Sequence, residues 1–141
     1  MNKFSLKAIV IACVMVLAMD FVSGVVMMIT SASHAFRPEL SDEQIAEALS
    51  IAIRSQSFLI GSLILGTLST IAGGYVAARI AKKEPYLNSG AIGVLGVLYG
   101  ALFPMEDYPA WFSVIGYVST IPAAVLGGHL AQGWIERNRI T

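Results

Sequence analysis

Four long apolar runs set the rhythm of this chain, at residues 8–30, 58–81, 87–103 and about 110–134, with short polar segments between them. A helix needs about 20 residues to cross roughly 30 Å of hydrocarbon. The first, second and fourth runs meet that length easily, while the third is shorter and rich in glycine. The pattern predicts an all-α integral membrane four-helix bundle, forming one membrane domain over residues 1–141. An extra extramembrane helix is predicted between the first two spans, over about residues 42–55. Ser41-Asp42-Glu43-Gln44 reads as a capping box, in which Ser41 and Gln44 satisfy orphan backbone donors reciprocally. Leu40 and Ile45 flank it as a hydrophobic staple, Asp42 and Glu43 complement the helix N-terminus, and Pro38 keeps the preceding chain non-helical. The apolar side of this helix, Ile45, Ala48, Leu49 and Ala52, is expected on the membrane surface or against the other helices. A straight helix from 42 to 81 would be about 60 Å long, so a bend near residues 55–61, or an outward projection, is expected.

The remaining breaks carry their own signals. In Lys82-Lys83-Glu84-Pro85, Pro85 is expected to stop the second span, with the basic residues at its negative end. The third span holds Gly90, Gly93, Gly96 and Gly100, and Gly96 with Gly100 has the small-xxx-small spacing that lets helices approach closely. Packing within the bundle is the expected role, ahead of a ligand groove or a dimer seam. Residues 104–109, which begin and end in proline, read as a tight outside turn. Trp111 and Trp134 bracket the fourth span as interfacial anchors. Pro122 is expected to kink that span, with Ser119 and Thr120 at hand for the freed backbone. Gly73-Gly74-Tyr75-Val76-Ala77 also echoes Gly127-Gly128-His129-Leu130-Ala131, and Ser69-Thr70-Ile71 echoes Ser119-Thr120-Ile121 at a different offset. Both glycine pairs read as helix-packing positions. If the echo is a duplication, it describes two parallel helical hairpins; the unequal offsets argue against a strict one.

Composition agrees with the spans. Hydrophobic residues make up 56% of the chain and charged ones 13%, and the mean hydropathy is +0.72, far too apolar for a soluble domain of this length. Charge then orients the spans. With the N-terminus in the cytoplasm, the inner segments hold Lys3, Lys7, Arg79, Lys82, Lys83, Arg137 and Arg139 against Glu84 and Glu136. The outer segments hold only Arg37 and Arg54, against Glu39, Asp42, Glu43, Glu47, Glu106 and Asp107. This positive-inside bias predicts an N-in, C-in topology and an even number of spans. The formal net charge of zero conceals the segregation. Lys3, Lys7 and Ser33-His34-Ala35 imitate a signal peptide, but the apolar run is longer than such a core and contains Asp20, so an uncleaved first helix is expected. Cys13, the single cysteine, follows too few apolar residues for a lipoprotein box and excludes an intrachain disulfide. It reads as a small buried residue.

Asp20 is the one full charge in the first run and falls near its midpoint. Such a carboxylate costs about 2.5–3.5 kcal/mol on insertion scales, so something must retain it. Three readings stand: a structural hydrogen-bonding residue held by Ser23, Tyr75, Thr70, Ser113, Tyr117 or His129; a titrating group in a proton- or cation-coupled pathway; or a pairing with another subunit. Gly24, one turn along, suggests that this face is packed. His129, near the cytoplasmic end of the fourth span, reads as a hydrogen-bonded packing residue. A relay to Asp20 would require spans one and four to touch. Asp20, His129 and Tyr75 are together the candidate intramembrane polar site. No metal site, cofactor motif, nucleophile–base pair or nucleic-acid partner is expected. Arg79, Lys82 and Lys83 read as topology signals in contact with anionic lipid.

The stretch Gly73-Gly74-Tyr75-Val76-Ala77-Ala78-Arg79-Ile80-Ala81, with the basic turn and glycine-rich span after it, resembles a pattern in small four-span bacterial inner-membrane proteins of uncharacterised function. That resemblance implies a multi-pass protein of the bacterial inner (cytoplasmic) membrane and carries no activity with it. In span number and in its acid on helix one the chain is also similar to small multidrug transporters. It lacks their helix-one motif, and its charge bias disagrees with dual topology. The expectation is a non-enzymatic membrane protein that packs with itself or with a partner membrane protein. The alternative is a small proton- or cation-coupled transporter using Asp20.

Overall fold

The structure, a computed structural model, describes residues 4–33, 37, 39–103 and 108–137. The expectations for Lys3, His34, Ala35, Pro38, residues 104–107 and Arg139 fall outside these. Among the described residues the chain is all-helical: α1 (Leu6–Ser31), α2 (Asp42–Ile53), α3 (Gln56–Ala81), α4 (Pro85–Leu102) and α5 (Ala110–Arg137). Helices α1, α3, α4 and α5 are each long and apolar enough to cross a membrane. The protein is a multi-pass membrane protein.

Local chemistry explains the ends. Ser5 caps α1, its hydroxyl accepting from the amide of Ala8 at 3.4 Å. Helix α2 begins on the Ser41–Gln44 capping box, with both reciprocal bonds made. It stops at Ile53, and Ser55 then caps α3 through the amide of Phe58. The break between α2 and α3 therefore lies at Arg54–Ser55. Ala48, Leu49 and Ala52 of α2 pack with Met28 and Ala32 at the end of α1.

The turn after α3 departs from the sequence expectation. Pro85 does not stop α3. Lys82 does, in the left-handed conformation at φ 56°, and Glu84 follows at φ 47°. Pro85 instead occupies the first turn of α4, where its missing N–H costs nothing. Buried Asn88 secures this reversal. Its side-chain amide donates to the carbonyls of Lys83 and Glu84, both at 3.0 Å, and its carbonyl accepts from the amide of Ser5 at 2.9 Å. One side chain thus ties together the start of α1, the α3–α4 turn and the start of α4.

Packing is antiparallel between consecutive long helices. Val16 meets Gly73, Asp20 meets Ser69 and Met27 meets Gly61, so each step outward along α1 is matched by a step back along α3. Along α4 and α5, Ser89 meets Gly128, Gly93 meets Ile121 and Ala124, Gly96 meets Thr120, and Gly100 meets Tyr117. Helices α3 and α5 lie parallel, with Leu63 beside Gly116 and Arg79 beside Trp134. Their crossing point is reciprocal: Gly74 lies on the carbonyl of Ala124, and Gly127 on the carbonyl of Ile71 and the amide of Tyr75. A Cβ at either glycine would collide with backbone, which has no rotamer to escape into.

The paired glycines of the sequence echo are not used equivalently. Gly73 faces Val16 and Ile92, whereas Gly127, its counterpart, faces α3. Helix α4 packs on both α3 and α5, while α1 packs on α3, less on α4 and α2, and among the described residues not on α5. The echo therefore does not extend to matching surroundings. Pro122 lies inside a continuous α5. The Ser119 and Thr120 hydroxyls donate to the carbonyl of Gly116 at 3.1 and 2.6 Å, not to that of Val118, the one Pro122 leaves without its usual donor.

Candidate functional site

Asp20 lies close to the middle of α1, and Ser69 close to the middle of α3. The α1–α3 register sets the two opposite each other, and the Ser69 hydroxyl donates to Asp20 Oδ1. Ser69 was absent from the sequence-based list of partners. Thr70, which was on it, turns back to the Gly66 carbonyl at 2.8 Å. Ser69 is 1% exposed, yet its hydroxyl also approaches the Gly66 carbonyl at 3.0 Å. One hydroxyl hydrogen is therefore shared between two acceptors.

Asp20 itself is exposed on the surface of the bundle. Beside it are Leu17, Phe21 and Val25, all exposed apolar side chains. Among the described residues Ser69 is the one hydrogen-bond partner of its carboxyl group. Gly24 does not mark a packed face, contrary to the sequence expectation: a Cβ there would meet nothing within 4 Å, and the same holds for Gly66, one turn from Ser69. The carboxyl thus borders two bare glycines on an apolar surface.

The other sequence candidates lie elsewhere. His129 on α5 bonds through Nδ1 to the Tyr86 hydroxyl of α4 at 2.9 Å, with the rings stacked at 6.3 Å. Tyr75 lies under the Arg79 guanidinium, 5.9 Å from its ring centroid. The separation of α1 from α5 removes the Asp20–His129 relay. Asp20, Tyr75 and His129 do not form one site. Gly73, Gly74, Gly96, Gly100, Gly127 and Gly128 all sit at helix–helix contacts, Gly73, Gly74, Gly127 and Gly128 buried and Gly96 exposed at the bundle surface. Sequence reasoning missed Ser69, Tyr86 and Asn88. Asn88 alone carried a readable signal, an amide just past a proline-started helix turn where carbonyls need donors.

Among the described residues no three His, Cys, Asp or Glu side chains come together as a metal centre would require. The polar groups form separate pairs, Asp20–Ser69 and Tyr86–His129 between helices and Tyr75–Arg79 within α3, in a multi-pass, all-α membrane bundle. No protein-family model, curated protein or solved structure matches the chain.

Proposed function

We propose that this is a non-enzymatic membrane protein that associates, through the outward face of α1, with a second membrane protein or a second copy of itself. The carrying observation is a mid-helix carboxyl on the bundle surface with one shared hydrogen bond. Placing Asp at a helix centre costs about 2.5–3.5 kcal/mol. An interhelical hydrogen bond in a membrane returns on average about 0.6 kcal/mol, and at most about 1.7. Ser69 therefore offsets the smaller part of the cost. A docked helix that donates to the second carboxyl oxygen and covers the face would offset the rest. Gly24 and Gly66, with open space over both, leave room for its backbone to come close.

Charge supports an N-in, C-in orientation in a bacterial inner membrane, with α2 outside. Lys7, Arg79, Lys82, Lys83 and Arg137 gather at the end of the bundle formed by the α1 start, the α3–α4 turn and the α5 end. Glu39, Asp42, Glu43 and Glu47 lie toward the other.

Affinity purification in a gentle detergent tests the association. It should return a stoichiometric companion or a multimer of the chain, and a bare monomer would count against it. Asp20→Asn separates this reading from the carrier alternative. Asparagine can still accept from Ser69 and keeps a polar group on the face, so expression and association should persist. A coupled carrier would lose transport in the same variant.

A further inference from the structure

At the basic end of the bundle, the Arg79 guanidinium carbon lies 3.9 Å from the ring centroid of Trp134, bringing the end of α3 onto the end of α5. Tyr75, one turn earlier on α3, borders the same group. An aromatic ring this close holds a guanidinium flat and fixes its orientation. A ring stacked on the face of a guanidinium leaves the N–H edge able to bond. Among the described residues no carboxylate makes an ion pair with Arg79, and no hydrogen bond uses its N–H groups. Arg79 is exposed and lies two residues before the end of a helix of 26 residues. That helix is about 39 Å long, longer than the roughly 30 Å hydrocarbon layer. Its ends therefore reach headgroup depth, where lipid phosphates lie.

We propose that Arg79, held on Trp134, is a seat for an anionic phosphate group, supplied by the headgroup of an anionic phospholipid. A planar guanidinium edge pairs with two phosphate oxygens at once. Lys82 and Lys83 follow in the adjoining turn and add attraction without that geometry. A lipid seated here would join the ends of α3 and α5, next to the glycine crossing that holds the two helices together.

The chain has two tryptophans, so Trp111→Phe leaves Trp134 as the sole indole reporter. This variant, reconstituted into phosphatidylcholine vesicles, is titrated with brominated phosphatidylglycerol or, separately, with brominated phosphatidylcholine. Quenching of Trp134 should reveal a roughly fivefold preference for the anionic lipid, the ratio expected of one basic residue at an anionic surface. Arg79→Ala should lower the preference to the remainder that Lys82 and Lys83 supply, well below that of the parent. Arg79→Lys, keeping the charge but losing the planar edge, should reduce it. Millimolar inorganic phosphate should leave it unchanged. Three results would overturn the proposal: equal quenching by both lipids in the parent; a preference that Arg79→Ala leaves undiminished, whether or not Lys82→Ala/Lys83→Ala removes it; or displacement by inorganic phosphate, which would make free phosphate the occupant. Circular dichroism of each variant confirms that the helices persist, so loss of preference is not loss of fold.

Discussion

Helix α3 meets α5 through backbone and meets α1 through side chains. Against α5, Gly74 and Gly127 bring main chain onto main chain at the crossing. Against α1, Val16, Met27 and the Asp20–Ser69 bond span the seam, with bare space at Gly24 and Gly66. The first contact has no slack. The second holds a costly carboxyl at its edge and leaves an apolar surface beside it. In a bilayer, where lipid is as apolar as leucine, close packing and hydrogen bonds hold helices together in place of hydrophobic burial. By that measure α3, α4 and α5 form the fixed part of the molecule, and α1 is the element with unspent contact surface.

The comparison breaks most severely at Gly127. Gly127→Ala should destabilise the bundle by about 3 kcal/mol, the upper end for overpacking, because its methyl would strike the Ile71 carbonyl and the Tyr75 amide. Thermal unfolding in detergent measures this, and Gly66→Ala at the open seam should change little. A second, smaller loss is expected from Asn88→Ala. It strands the Lys83 carbonyl and the Ser5 amide, partly buried groups that cost about 1–3 kcal/mol when unsatisfied, while the Glu84 carbonyl keeps its backbone donors. The same unfolding assay should register a drop larger than that of Ser69→Ala. That last variant removes one interhelical bond and should cost about 0.6–1.7 kcal/mol. A loss at Ser69 exceeding the one at Gly127 would invert the two seams.

The four long apolar helices were legible in the sequence because an apolar run long enough to cross a bilayer favours one continuous helix, and the capping box marked the start of α2 to the residue. The partner of Asp20 was not, because it depends on the register of α1 against α3. A slip of one residue exchanges Ser69 for Thr70, and nothing in either apolar run sets that register. The end of α3 was misread for a similar reason. Glycine usually announces a left-handed cap, whereas here Lys82 adopts it and Asn88, four residues past Glu84, supplies the donors that sustain the turn. The glycines could be recognised as packing positions from their spacing, but not which helix each one faces. The exposure of Asp20 was likewise hidden, since it follows from α1 sitting at the edge of the bundle and not from the residues around Asp20.

Gly24→Leu tests the central claim most directly, because it adds bulk to the outward face of α1 without touching the interior of the bundle. Gly90→Leu, at another glycine with nothing within 4 Å of its missing Cβ, controls for the substitution itself. Native mass spectrometry from gentle detergent would weigh the parent and both variants. The account predicts an assembly, with itself or a companion, in the parent and in Gly90→Leu, and a folded monomer in Gly24→Leu. A monomeric parent, or an assembly that survives Gly24→Leu undiminished, would contradict it.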